Sequence, residues 1–323
     1  MLLWSSLNLV EGRFYMESWY QWGLTVIHAI QQLESPTMTV IMKAITSLGT
    51  EFAYLALLSL IFWCIDEKRG FRLGTAVLLS AWLNSTVKNV LKQPRPYQLD
   101  PSVGKDVENS YGIPSGHAQS SVTFWGIIGG WIRQIWGIVL AIGLPLLISF
   151  SRLYLGVHFP TDVFAGWILG LLVLGMYYLA GHTIETLFTA LNIRFRILVV
   201  ALIAFVMNGL NPEDTSMGGA FFGMAVGYIL MRERFPFSAR LNAKGETPSF
   251  LELLGRYLIG MIGVVLVYRG LKAIFPGESS PWYDFGRFTR YALLGAWISA
   301  GAPWVFLKLR LTGAEAIERE KQA

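Results

Sequence analysis

Six ionisable residues stand in three short stretches. KNVLKQPRPY carries Lys88 and Arg95, IPSGH carries His117, and SRLYLGVHFPTD carries Arg152, His158 and Asp162. Three cations suit a phosphoryl group, whose equatorial oxygens keep or gain charge during transfer and are neutralised by fixed, charge-assisted hydrogen bonds. The Ser115 hydroxyl and the backbone N–H groups of Ser115 and Gly116 fall at a helix N-terminus, where free donors and the helix dipole favour an anion; Gly116 also lets the backbone come close. His158 precedes Asp162 by four residues, with Pro160 at the first helical position between them. The carboxylate therefore fixes one imidazole tautomer and leaves the second ring nitrogen as a nucleophile for phosphorus, which gives a phosphohistidine. His117, an imidazole that titrates near neutral pH, is suited to protonate the leaving alkoxide and then to take a proton from the attacking water. With three cations present no metal is needed for charge, and no acidic or Cys/His cluster has ligand spacing, so no cofactor is expected.

The elements that must hold these residues belong to a membrane. Of the 323 residues 54% are hydrophobic and only 15% charged, against about 25% charged in soluble domains. That deficit excludes a disordered chain, a secreted disulfide scaffold and an ordinary cytosolic enzyme. The single Cys64 allows no intramolecular disulfide. Apolar runs long enough to span recur near residues 47–65, 72–91, 115–132, 135–153, 161–181, 195–211, 217–231, 251–271 and 288–308. The predicted fold is therefore all-α, a polytopic membrane helix bundle of about nine transmembrane helices. Residues 19–33, with Trp19, Tyr20 and Trp22, are too short and polar to cross and read as a helix lying in the interface. The N-terminus lacks a basic leader and a small-residue cleavage site, which argues for its retention.

Counting crossings puts all three stretches on one face. The other face carries 14 of the 26 Lys and Arg, against ten beside the stretches, so it is expected to be cytoplasmic and the site non-cytoplasmic. The net charge of +5 then needs no nucleic acid, because basic helix ends meet anionic lipid. The expected partners are the membrane and a lipid phosphate; the sequence names no protein partner.

With these residues in hand, the chain resembles the type 2 phosphatidic acid phosphatase family, whose signatures are KxxxxxxRP, PSGH and SRxxxxxHxxxD. Here they stand as Lys88–Pro96, Pro114–His117 and Ser151–Asp162, in order and with every fixed position met. The resemblance implies an α-helical membrane core and metal-independent hydrolysis of a phosphomonoester or pyrophosphate. It implies catalytic roles for His158, His117 and Asp162 and phosphate binding by Lys88, Arg95, Ser115, Gly116 and Arg152. The expected divisions are an interfacial segment over 1–36, a catalytic core over 37–185, a four-helix extension over 186–311 and a cytoplasmic tail over 312–323. The extension resembles the architecture of sphingoid-base phosphate phosphatases. Alternatives are transfer of the phosphoryl group to an acceptor alcohol and lipid transport without bond cleavage; a vanadium haloperoxidase is also implied by the family's pocket, but its relatives are soluble.

Other polar features have plainer readings. His28 and His182 lack the partners of the motif histidines. NPEDTSM, with Glu213 and Asp214, reads as a turn capping the next helix. Glu252 and Arg256, four apart, read as an ion pair within one helix, and the small residues of FFGMAVGYIL as a packing face. The polar loop from Tyr97 to Tyr111 reads first as a solvated connector.

Overall fold

The computed structural model describes residues 18–313, and among these every regular element is helical. The tail expected over 312–323 lies almost wholly outside the described residues. We number the helices that matter to the site and its support: α1 (18–31), α2 (Pro36–Ser47), α3 (Glu51–Leu60, continued by a π-helical turn, Ile61–Ile65), α4 (Glu67–Leu91), α5 (Gly116–Trp131) and α6 (Ile135–Tyr154). They are followed by α7 (Pro160–Leu179), α8 (Gly181–Ala190), α9 (Ile193–Leu210), α10 (Ser216–Arg234), α11 (Phe250–Ile274) and α12, which starts at Tyr283 and runs through a π-helical turn, like the one at Val139–Gly143 within α6, to Lys308.

All nine apolar runs fold as helices, and α2 and α8 are two further ones that the run pattern did not single out. Among the described residues α6, α7, α9 and α11 are each long and apolar enough to cross a membrane alone, and α2 with α3, parted by a short break, can make a fifth span. The other runs mix glycines and polar side chains into their sequence, and several of these, Ser80, Asn84, Gln119 and Ser121 among them, are buried. Where lipid is the neighbour the surface is apolar: Leu171, Leu172, Met176 and Leu179 on α7 and Leu198, Leu202 and Phe205 on α9 are exposed.

The chain folds into two compact units. Among the described residues one contains 18–50 together with Thr86–Leu172, and the other Glu51–Ser85 together with 173–313. The first holds all three motif stretches. Its roof is α1, where Leu24 and Ile27 bury against Val103 and Phe159 while Trp19 and Trp22 stay exposed. Below it Met42 packs with Tyr154, Leu155 and Val157.

The second unit is fastened by close helix contact. A Cβ at Gly223 of α10 would lie 1.7 Å from the Ala292 carbonyl oxygen of α12, so only glycine permits this approach. Phe62, Trp63, Phe237 and Phe306 form its core. Arg256 is fully buried there and donates to the carbonyls of Ala239 (2.7 Å), Leu241 (2.8 Å), Leu311 (2.8 Å) and Trp63 (3.3 Å). Its expected partner Glu252 instead closes a capping box with Ser249 at the start of α11. Asp214 accepts from the Ser216 amide at 3.0 Å and so caps α10, as the turn reading expects.

Candidate active site

Each site residue is held by a local device written in the sequence. Helix α4 starts on Asp66, whose Oδ1 accepts the Lys68 and Arg69 amides, and it ends at Lys92, which takes a left-handed φ of 48°. Pro94 and Pro96 prevent the helix from continuing. Arg95, between them, is extended (φ −97°, ψ 158°), and its amide donates to Gln98 Oε1 at 2.8 Å. Lys88 thus sits on the last turn of α4 and Arg95 just past it, both buried.

Ser115 caps α5: its carbonyl accepts the Gln119 amide at 3.0 Å and its hydroxyl faces the Ala118 amide at 3.5 Å. Its own amide donates to the Asp162 carbonyl at 2.8 Å. The Ser115 amide, read from sequence as an anion donor, is therefore engaged, and Gly116 and His117 supply the first-turn amides that the helix itself does not use. Helix α7 can lie this close because of Gly166, where a Cβ would stand 2.6 Å from the Ser115 carbonyl oxygen.

Arg152 ends α6. Three residues after it Leu155 closes the helix, and Gly156 turns the chain with φ +66°, against the Val103 carbonyl, where a Cβ would have 2.0 Å. That turn delivers His158 back beside Arg152 before Pro160 starts α7. Asp162, in the first turn of α7, reaches back to accept the Phe159 amide at 2.9 Å, the carboxylate half of a capping box.

The motif side chains converge. His158 Nδ1 lies 3.1 Å from Asp162 Oδ2, and its Nε2 lies 3.2 Å from Arg95 Nη1. Arg95 can only donate, so Nε2 carries the lone pair and Nδ1 the hydrogen, a tautomer assigned from this hydrogen-bond pattern. Burial, together with the positive charge of Arg95, holds the His158 pKa well below the ordinary imidazole range, so the ring is neutral at neutral pH. Arg152 Nη1 donates to Thr46 Oγ1 of α2 at 2.7 Å, and its buried Nε has no hydrogen-bond partner among the described residues. Lys88 Nζ donates to the carbonyls of Tyr111 (2.6 Å) and Gly112 (3.1 Å). The His117 ring lies against the Gly49 backbone, within electrostatic reach of Lys88, Arg95 and His158.

One member of the site was not among the sequence candidates. The carboxylate of Glu108 lies between two of the cations: Oε2 is 2.6 Å from Arg95 Nη2, Oε1 is bonded to Arg152 Nη2, and Oε2 is 3.9 Å from His158 Nε2. Its loop is pinned by Tyr97, whose hydroxyl donates to the Glu108 carbonyl at 2.9 Å, and by Lys105, which pairs with Glu34 of the α1–α2 turn at 2.7 Å. His28, which sequence reasoning left without a partner, pairs with Asp100 at 2.9 Å.

Comparison with known proteins agrees with this constellation. Residues 69–186 match the PAP2 superfamily, and residues 215–315 match the transmembrane extension of PAP2 superfamily phosphatases. The chain belongs to the PAP2 superfamily. The first PAP2 match contains every motif residue, and the second covers α10 to α12. Among relatives, lipid phosphate phosphatase delta of Arabidopsis thaliana is 24% identical over 272 residues, covering 76% of this chain and 65% of that protein. Sphingosine-1-phosphate phosphatase 2 of Mus musculus is 30% identical over 152 residues, 45% of this chain and 43% of that protein. Undecaprenyl-diphosphatase of Sulfolobus acidocaldarius is 31% identical over 141 residues, 42% of this chain and 66% of that protein. The chain thus spans less than two thirds of the length of each of these relatives.

Proposed function

We propose that this membrane-embedded PAP2 protein is a lipid-phosphate phosphatase that hydrolyses a phosphomonoester or diphosphate headgroup through a phosphohistidine on His158. The carrying observation is the arrangement of His158, with Nδ1 tied to Asp162 and Nε2 accepting from Arg95 Nη1, 3.9 Å from the Glu108 carboxylate that Arg95 and Arg152 hold.

Substrate oxygens take donors from Lys88, Arg95 and Arg152 and from the first-turn amides of α5, and phosphorus comes into line with Nε2. The Nε2–P bond forms as the ester P–O bond breaks, and the leaving alkoxide takes a proton from His117. Asp162 offsets the positive charge that develops on the phosphorylated ring. A water then attacks phosphorus while His117 accepts its proton, the P–N bond breaks, and inorganic phosphate and neutral His158 are restored. Three cationic side chains supply the charge for which other phosphoryl-transfer enzymes use metal ions, so the reaction is metal-independent. The excess of Lys and Arg at the opposite helix ends supports a site on the non-cytoplasmic face. A lipid suits such a site, because its tail stays in the bilayer while the headgroup rises to the helix ends. The relatives named for lipid phosphates, sphingosine-1-phosphate and a polyprenyl diphosphate support the same substrate class.

The test is phosphate release by detergent-purified protein in EDTA, over phosphatidic acid, phosphatidylglycerol phosphate, a polyprenyl diphosphate and a sphingoid-base phosphate. Wild type should release phosphate from at least one of them and His158→Ala from none. A folded wild type that releases phosphate from none, or a His158→Ala variant that retains turnover, would overturn the proposal.

A further inference from the structure

The segment from Glu108 to Gly112 provides acceptors for donors on all three cations. Ser110 accepts from Arg95 through its carbonyl (2.6 Å) and its hydroxyl (2.8 Å), Tyr111 and Gly112 accept from Lys88, and the Glu108 carboxylate bridges Arg95 and Arg152. Within this set Glu108 is distinct, because it brings a full negative charge and two oxygens. The bridge puts an anion 3.9 Å from the ring nitrogen that must approach phosphorus. A phosphoryl group seated between the same guanidiniums would have to occupy the space of that carboxylate. Two anions in a shared buried site repel, so one must leave.

We infer that Glu108 is a specificity-determining residue: its carboxylate competes for the phosphate position, so that only an anion of higher charge, a terminal phosphate dianion, displaces it. The chemistry sets the threshold. A phosphomonoester near neutral pH carries close to two negative charges and three terminal oxygens, enough to engage Arg95, Arg152 and Lys88 together. A phosphodiester carries one charge and two terminal oxygens, the same as Glu108 itself, and gains nothing by exchanging with it. A membrane is rich in phosphodiester headgroups, and a site of three bare cations would collect them. The tether allows the exchange: Glu108 is partly open to solvent and, among the described residues, its carboxylate is hydrogen-bonded by the two arginines with His158 Nε2 at 3.9 Å, whereas its backbone is anchored at Tyr97. The side chain can therefore swing aside without unfolding the loop.

This inference rests on the phosphatase reading, and binding measurements separate the two. Calorimetry on detergent-purified wild type, Glu108→Gln and Glu108→Asp, titrated with inorganic phosphate and with dimethyl phosphate, reads the anion site without turnover. Removing the competing charge is expected to tighten phosphate binding about tenfold or more in Glu108→Gln, a change of 1.4 kcal/mol per tenfold. Dimethyl phosphate, which wild type should reject, should bind Glu108→Gln measurably, and Glu108→Asp, which keeps the charge, should reject it. With lipid substrate, an added phosphodiester lipid should inhibit Glu108→Gln and leave wild type unaffected. Equal phosphate affinity in wild type and Glu108→Gln, or dimethyl phosphate binding to both, overturns the inference and leaves the phosphatase reading intact. No phosphate binding by any of the three folded proteins overturns both.

Discussion

Asp162→Asn tests how the nucleophile is oriented. The carboxylate oxygen Oδ2 accepts both from the His158 ring at 3.1 Å and from the Phe159 amide at 2.9 Å. An asparagine of the same shape can offer these two donors only a neutral amide oxygen, and in the flipped orientation it sets an NH2 group against both. A hydrogen bond to a charged partner contributes about 1.5–3 kcal/mol, and the phosphohistidine also loses the counter-ion for its ring, so about 3–5 kcal/mol of transition-state stabilisation should disappear. At 1.36 kcal/mol per decade this is about a 10²- to 10⁴-fold fall in kcat. In the proposed mechanism substrate oxygens are bound by Lys88, Arg95 and Arg152 rather than by Asp162, so KM should move by less than about threefold. The assay is steady-state phosphate release from a short-chain lipid phosphate in detergent, with circular dichroism to confirm the fold. A folded variant with kcat within tenfold of wild type, or a change confined to KM, would refute the reasoning.

Four further outcomes are expected. Because the His158 pKa is depressed, the nucleophile stays neutral across neutral pH, and the acid limb of kcat/KM should fall below pH 6.5; a limb centred at or above the ordinary imidazole value would contradict this. By the same shift, the unfolded chain takes up a proton near pH 6.5 that the native ring refuses, so this group lowers stability as pH falls below that value, measurable as a declining Tm. Arg256→Met removes a guanidinium that serves four buried carbonyls and should lower stability by about 3–5 kcal/mol, read as a Tm drop of about 10 °C; an unchanged Tm would show that water replaces it. Gly166→Val forces a side chain into a 2.6 Å gap at the Ser115 carbonyl, which should cost about 1–3 kcal/mol and separate α5 from α7, lowering kcat with it; full activity would mean that the two helix ends need not touch.

The motif residues were legible because each is also a local structural signal. Ser115 is a cap, Pro160 a helix start, Asp162 a capping carboxylate and Arg95 a residue between two prolines, so spacing alone predicts their placement at helix ends. All nine apolar runs were legible as helices for the same reason, since length and hydropathy are local properties. Two things were hidden. Hydropathy does not say which helix packs on which, so nothing in the sequence foretold that Phe62 and Trp63, from the first apolar run, bury among residues of α10 to α12. Nor does it say where a polar loop points. Glu108 sits in the stretch read as a solvated connector, and only the fold reveals that it meets Arg95 and Arg152. The one available hint was a carboxylate in a loop bounded on both sides by cationic motifs. Arg256 was misjudged similarly: i to i+4 spacing suggested Glu252, but burial made carbonyl oxygens the nearer acceptors.

The central claim is covalent chemistry at His158, and the most direct measurement is to trap it. His117→Ala should be mixed with p-nitrophenyl phosphate, whose leaving group needs no protonation, then quenched in alkali and analysed by mass spectrometry of the peptides. Without His117 to take the proton from water, the second step slows and the intermediate accumulates. One phosphoryl group on His158, stable in alkali and lost in acid, is the predicted result. A burst of nitrophenol with no phosphoryl group on His158, or with one on another residue, would contradict the account.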